Sequence, residues 1–124
     1  MRILIADDDP VSRTVLAKIL AAHAEHTTTA VEDGAAAWAL LDDPGRSFDV
    51  LFLDLSMPKM DGYELLKRIR DNRLLLKSLE VVLCTAANDR ESVIKAATLG
   101  ARHYIVKPCT EAVVMAKLRQ FQPA

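Results

Sequence analysis

A doubly wound α/β sheet, three layers deep with helices on both faces, is the fold class this sequence predicts, and three observations predict it. Four short runs are apolar without alternation: Arg2-Ile3-Leu4-Ile5-Ala6, Val50-Leu51-Phe52-Leu53, Val81-Val82-Leu83-Cys84 and His103-Tyr104-Ile105-Val106. Helical patterns with recognisable ends lie between them, each long enough to cross from one strand to the next. Polar or charged side chains follow these runs directly, as they would where strands end at a common rim.

The elements follow in order. The run from Arg2 reads as a strand covered on both faces, because such strands have no solvent side to mark by alternation. Asp9 is an N-cap with Pro10 at the first helical position, and Val11, Val15, Leu16, Ile19 and Leu20 then recur at helical spacing. His26 to Val31 is threonine-rich and polar enough for an edge strand. Gly34 to Leu41 makes an alanine-rich second helix, which Trp38 is expected to pack onto the sheet. After the strand from Val50, Asp61-Gly62 gives a turn and a helix start, and the third helix reaches Arg70 with Leu65, Leu66 and Ile69 inward. Asp89 is expected to cap a fourth helix that Gly100 closes, and Thr110 to Phe121 makes the fifth. Five βα units with right-handed crossovers imply one domain over residues 1–124, a doubly wound (βα)5 sandwich, and the edge-like second strand fits the flavodoxin-like strand order 2-1-3-4-5, which periodicity alone does not prove.

Composition narrows the class. With 124 residues, 51% of them apolar, the chain can form one core without covalent staples. Cys84 and Cys109 show no CxxC spacing and no histidine pair nearby, which argues against a zinc site or a disulfide framework and for a reducing cytosol. There is no leader-like segment and no apolar stretch near the ~20 residues that span a bilayer, so a cytoplasmic protein without membrane contact is expected. Net charge is −1, but residues 1–64 hold 12 acids and 5 bases while residues 65–124 hold 5 acids and 11 bases. No nucleic-acid motif is present, and six aromatic residues leave little for base stacking. Direct nucleic-acid binding is not expected.

Chemistry concentrates where the strands end, since ligands of such sheets bind beyond the carboxyl ends. Asp7 and Asp8 follow the first strand, the third ends at Asp54, Thr85 follows the fourth, and Lys107-Pro108 the fifth. Three carboxylates at one rim repel one another, and one lysine cannot neutralise them, so the pattern calls for a cation. An all-oxygen donor set favours Mg²⁺ (or Mn²⁺) over zinc or copper, and Mg²⁺ sites of this kind serve phosphoryl chemistry. Asp54, fixed at the end of a central strand, is the candidate phosphoryl acceptor, with Thr85 as a hydrogen-bond donor to the transferred group. Asp9 is read as a cap only, and the three histidines as surface residues.

These residues carry a resemblance. Ile3-Leu4-Ile5-Ala6-Asp7-Asp8-Asp9-Pro10, the run Asp54-Leu55-Ser56-Met57-Pro58-Lys59-Met60-Asp61-Gly62, Thr85-Ala86, and Lys107-Pro108 after Gly100-Ala101 resemble the receiver family of bacterial response regulators over essentially the full length. The resemblance implies Asp8 and Asp54 as direct Mg²⁺ ligands, the Ser56 backbone carbonyl as another, and Asp7 acting through water. It further implies that Lys107 pairs with the phosphoryl group, that Thr85 and Tyr104 form a switch pair, and that the Lys107-Pro108 peptide is cis. The implied partners are a histidine kinase or histidine phosphotransfer protein upstream and an effector domain or protein downstream, with a phosphorylation-dependent homodimer as one form of output. Signalling would run through the fourth helix, fifth strand and fifth helix, where Lys95, Arg102, Lys117 and Arg119 lie. Ser56 and Ala87 are small where they flank the phosphoryl group, and Cys109 replaces a large apolar residue of the family pattern.

Three rival functions remain. An aspartyl-phosphate-forming phosphatase of the same fold would usually carry a second acid two residues past the nucleophile, where this chain has Ser56, and a cap domain that 124 residues do not hold. A flavin carrier would need glycines or hydroxyls in the first loop, which is acidic instead. A receiver degenerated into a binding module would lack the phosphorylation residues. The expected activity is therefore a switch that modifies itself, not an enzyme that turns over substrate.

Overall fold

The computed structural model describes residues 1–23, 25–55, 61–72, 78–86 and 90–121. Ser56, Ala87, the expected helix cap Asp89 and the Leu74-Leu75-Leu76 run lie outside the described residues. Among the described residues, five strands and five helices alternate: β1 (Arg2–Ala6), α1 (Pro10–Ala21), β2 (Thr27–Val31), α2 (Gly34–Leu41), β3 (Val50–Asp54), α3 (Gly62–Arg70), β4 (Glu80–Thr85), α4 (Arg90–Thr98), β5 (His103–Val106) and α5 (Glu111–Arg119). All four strand pairings are parallel, in the order β2-β1-β3-β4-β5. The expected architecture and strand order are what the chain adopts.

Successive side chains of a strand point to opposite faces, and the core divides accordingly. Leu4 and Ala6 of β1, Leu51 and Leu53 of β3, and Leu83 of β4 face one layer with Ala37, Leu65, Leu66, Ile69 and Ala96 from α2, α3 and α4. Ile3 and Ile5, Val50 and Phe52, Val82 and Cys84, and Ile105 face the other, against Leu16 and Leu20 of α1 and Val114 and Leu118 of α5. Burial on both sides explains why these runs show no alternation. The register aligns Ala6 with Leu53, Asp54 with Cys84, and Thr85 with Val106, so the strand tips finish level at one rim.

Helix ends are set by the residues read for that role. The Asp9 side chain accepts from the Val11 N–H at 3.1 Å, Asp33 from Ala36 at 2.7 Å and Asp61 from Glu64 at 2.9 Å. Gly100 closes α4 at φ 96°, with its N–H donating to the Ala97 carbonyl and the Ala101 N–H to Ala96, a paired-bond cap in which a left-handed residue suits glycine. Asp54 ends β3 as expected, and Trp38 packs on the layer that α2 and α3 form with one face of the sheet, with the Arg68 guanidinium 5.7 Å from its ring centre. Three details differ from expectation. Thr85 is the last residue of its strand rather than the first of the loop, because the ladder continues through it. Thr110 caps α5 from outside, and the helix ends at Arg119. His26 is no surface residue: its side chain is 2% exposed, with Nε2 3.6 Å from Glu25 Oε1.

Candidate functional site

Each site residue is mounted on a strand end. Asp7 leaves β1 with its N–H donating to the Val31 carbonyl of β2 at 3.2 Å, which carries the ladder one residue past the strand. Its side chain is buried, and Oδ1 accepts from the Asp9 N–H at 2.9 Å. Asp8, next along, is exposed, and Asp54 at the tip of β3 is half-buried. One carboxylate oxygen from each of the three lies within 4.8 Å of the other two. The register of β1 against β3 produces this convergence, since the acids sit just past aligned residues.

Lys107 reaches the cluster from beyond β5. Its Nζ is 3.0 Å from Asp7 Oδ2 and 3.6 Å from Asp54 Oδ2. Burial alone would pull its pKa down, but the hydrogen bond to Asp7 and the charges of Asp54 and Asp7 outweigh that and raise it. Lys107 is thus held firmly as an ammonium. Its backbone N–H donates to the Thr85 carbonyl at 2.7 Å, and the following peptide to Pro108 is cis, as the resemblance implied. The lysine leans more closely on Asp7 than on Asp54, an inequality that no spacing in the sequence could reveal.

Thr85 is buried at the end of β4, and its hydroxyl makes a long 3.4 Å bond to the Ala86 carbonyl. Tyr104 is 50% exposed on β5. The two line one groove with Arg90, Val93, Ile94 and Val106. Asp7, Asp8, Asp54 and Lys107 therefore form one cluster, Thr85 shares its rim, and Tyr104 lies beside Thr85. Ser56 lies outside the described residues.

Two supports escaped the sequence reading. Arg13, in the first turn of α1, donates from Nη1 to the Asp7 carbonyl at 2.7 Å and so ties the acidic loop to the helix. Its place four residues past the Asp9 cap was the available signal. Gly62 donates to the Leu55 carbonyl at 3.0 Å, and a Cβ there would lie 2.5 Å from the Leu55 Cα. Backbone packed against backbone holds the residue after Asp54, a closer constraint than the turn read from Asp61-Gly62.

The response regulator receiver domain model matches residues 3–119. This chain belongs to that family. Chemotaxis protein CheY-3 of Vibrio cholerae is 39% identical over 118 residues, 95% of this chain and 88% of that protein. Chemotaxis protein CheY of Pseudomonas aeruginosa is 36% identical over 121 residues, covering 97% and 94%. The crystal structure of a response regulator assigned in Chloroflexus aurantiacus superposes with a TM-score of 0.87 at 26% identity, covering 97% of this chain and 95% of that one. The receiver is CheY-like in fold and sequence, in keeping with two-component signalling. Among the described residues, no helix is long and apolar enough to cross a membrane.

Proposed function

We propose that this receiver accepts a phosphoryl group on Asp54 from a histidine kinase or histidine phosphotransfer protein in the cytosol, with Mg²⁺ (or Mn²⁺) required. The carrying observation is the meeting of three carboxylates within 4.8 Å with the Lys107 ammonium at 3.0 and 3.6 Å. The described donors fit the ion: all are carboxylate oxygens, which suit a hard divalent cation. Asp8 and Asp54 would hold it directly and Asp7 through water, and the resemblance adds the backbone carbonyl of Ser56, outside the described residues. When bound, it neutralises charge on the carboxylates and on incoming phosphoryl oxygens.

The chain's own groups do the rest. Asp54, mounted on a central strand, presents a carboxylate oxygen that forms the bond to phosphorus as the bond from phosphorus to the donor's imidazole nitrogen breaks. Lys107 balances charge on the transferred group, which competes with Asp7 for its ammonium. Thr85 turns its hydroxyl from the weak bond at Ala86 toward a phosphoryl oxygen, and Tyr104 follows into the groove that opens. An equilibrium of α4, β5 and α5 shifts with them and alters the surface offered to an effector, including a second receiver. Among the described residues, four of the six exposed large hydrophobics, Ile94, Tyr104, Val106 and Val113, lie on α4, β5 and α5 and support the assignment. Arg102, Lys117 and Arg119 add positive charge around it, whereas the Lys95 ammonium sits 4.3 Å from the Tyr63 ring centre.

The test is phosphoryl uptake from a small acyl phosphate, read by intact mass. One phosphoryl group per chain is expected, with none in Asp54→Ala or in excess chelator. Uptake persisting in both would end the proposal. Sustained release of phosphate over many turnovers would instead make the protein a phosphatase.

A further inference from the structure

We infer that Arg13 is a positioning residue for the ion, one that sets both the affinity of the acidic rim for Mg²⁺ and its preference for Mg²⁺ over Ca²⁺. The inference rests on the reading of Asp7, Asp8 and Asp54 as the groups that hold the ion. Arg13 stands in the first turn of α1 and reaches back to the preceding loop through two bonds. Its backbone N–H donates to the Asp9 carbonyl at 2.9 Å, and its guanidinium Nη1 donates to the Asp7 carbonyl at 2.7 Å. The second bond has a charged donor, which makes it roughly twice as strong as one between neutral groups.

The bonded carbonyl belongs to the peptide that joins Asp7 to Asp8. A peptide is planar, so the direction of its C=O fixes where the next Cα lies. Asp7 is braced on its own account: its N–H donates to the Val31 carbonyl, Oδ1 accepts from the Asp9 N–H, and Oδ2 lies 3.0 Å from Lys107 Nζ. Asp8 is exposed, and its place at the rim is set by the peptide that Arg13 holds. The guanidinium bonds a carbonyl rather than a carboxylate, so it orients the acids without competing for the oxygens an ion would use. Lys107, by contrast, is paired with the carboxylates themselves.

Partners that orient a ligand from behind typically govern metal affinity by about ten- to a hundredfold. Selectivity follows from the same bracing. Mg²⁺ requires near-octahedral oxygens at short, fixed distances, whereas Ca²⁺ accepts more ligands in variable arrangements. A loop free to swing therefore loses more for Mg²⁺ than for Ca²⁺.

The experiment titrates the full chain with Mg²⁺ and with Ca²⁺ by isothermal calorimetry. Arg13→Met keeps the aliphatic stem and removes the donors; it should raise the Kd for Mg²⁺ about tenfold and that for Ca²⁺ only about twofold. Arg13→Gln, shorter and neutral, should move the ratio of the two constants in the same direction. Arg13→Lys should recover most of the Mg²⁺ affinity, because a single bond from a charged donor is what the loop requires. Gly100→Ala, a destabilising change toward the opposite rim, should leave both constants at their wild-type values and so separates positioning from loss of stability.

Equal weakening of the two ions in Arg13→Met and Arg13→Gln, or an unaltered Mg²⁺ affinity in both, would overturn the role of Arg13. A wild-type chain that takes up no Mg²⁺ would overturn the ion site itself and the role of Arg13 with it, an outcome distinct from wild-type binding that the Arg13 variants leave untouched.

Discussion

At the carboxyl ends of the strands, Asp7, Asp8 and Asp54 converge, with the Lys107 ammonium against Asp7 and Asp54, whereas the acids described at the amino ends meet partners singly. There the Asp49 carboxylate accepts from the Arg2 backbone N–H at 2.7 Å, and Glu80 Oε2 lies 3.7 Å from His103 Nε2. The two rims are built from the same strands and differ in how far the chain satisfies itself. A mismatch of like charges at only one rim has a cost in stability, and a cation or a modification that relieves it gains binding energy from the fold. Among the described residues, the amino rim shows no comparable group of acids.

The largest expected effect tests how each rim is braced. Gly62→Ala forces a Cβ to 2.5 Å from the Leu55 Cα and should destabilise the protein by about 3 kcal/mol in urea melts, since backbone must shift. Gly100→Ala, toward the amino rim, meets nothing within 4 Å and should cost only about 1 kcal/mol for its φ of 96°. Equal losses would remove the claim that the acidic rim is the more tightly braced.

Saturating Mg²⁺ should raise stability by about 2.7 kcal/mol at a hundredfold excess over its Kd. Thermal melts should lose most of that gain in Asp8→Asn and keep it in Glu80→Gln. A gain that survives Asp8→Asn would place the ion elsewhere.

Lys107→Met removes the ammonium from between Asp7 and Asp54 and should cost about 2 kcal/mol at neutral pH, below the range for fully buried pairs because the lysine is partly exposed. Its pKa is raised in the fold, so its stabilisation is complete below the unfolded value of 10.5 and is lost as pH climbs through the raised folded value. Wild type and variant should therefore converge in stability only in strong alkali.

The smallest effect belongs to the amino rim. Burial first, then neighbouring positive charge, lowers the pKa of both His26 and His103. Protons bind the unfolded chain more readily, so stability falls as pH drops below the unfolded value of 6.5. His103→Gln should flatten that slope without changing the Mg²⁺ response.

Much of this was legible in the residues. Strands buried on both faces leave unbroken apolar runs, and the polar second strand, suited to an edge, fitted the order 2-1-3-4-5. That order carries Asp7, Asp8, Asp54, Thr85 and Lys107 to one rim with no further information. The unread features depend on contacts between distant segments: the unequal reach of Lys107, the Gly62–Leu55 approach and the burial of His26. Periodicity reports which way a side chain faces, and distances across an interface follow only from packing.

The two margins of the sheet carry a last consequence. At one, Thr27, Thr28 and Thr29 place hydroxyls along β2. At the other, β5 is four residues long and soon meets Pro108, which has no N–H to donate. Short, polar or proline-limited borders are poor templates for another strand. A parallel sheet this apolar is thus guarded against growing sideways into aggregates, and self-association is steered toward helical surfaces.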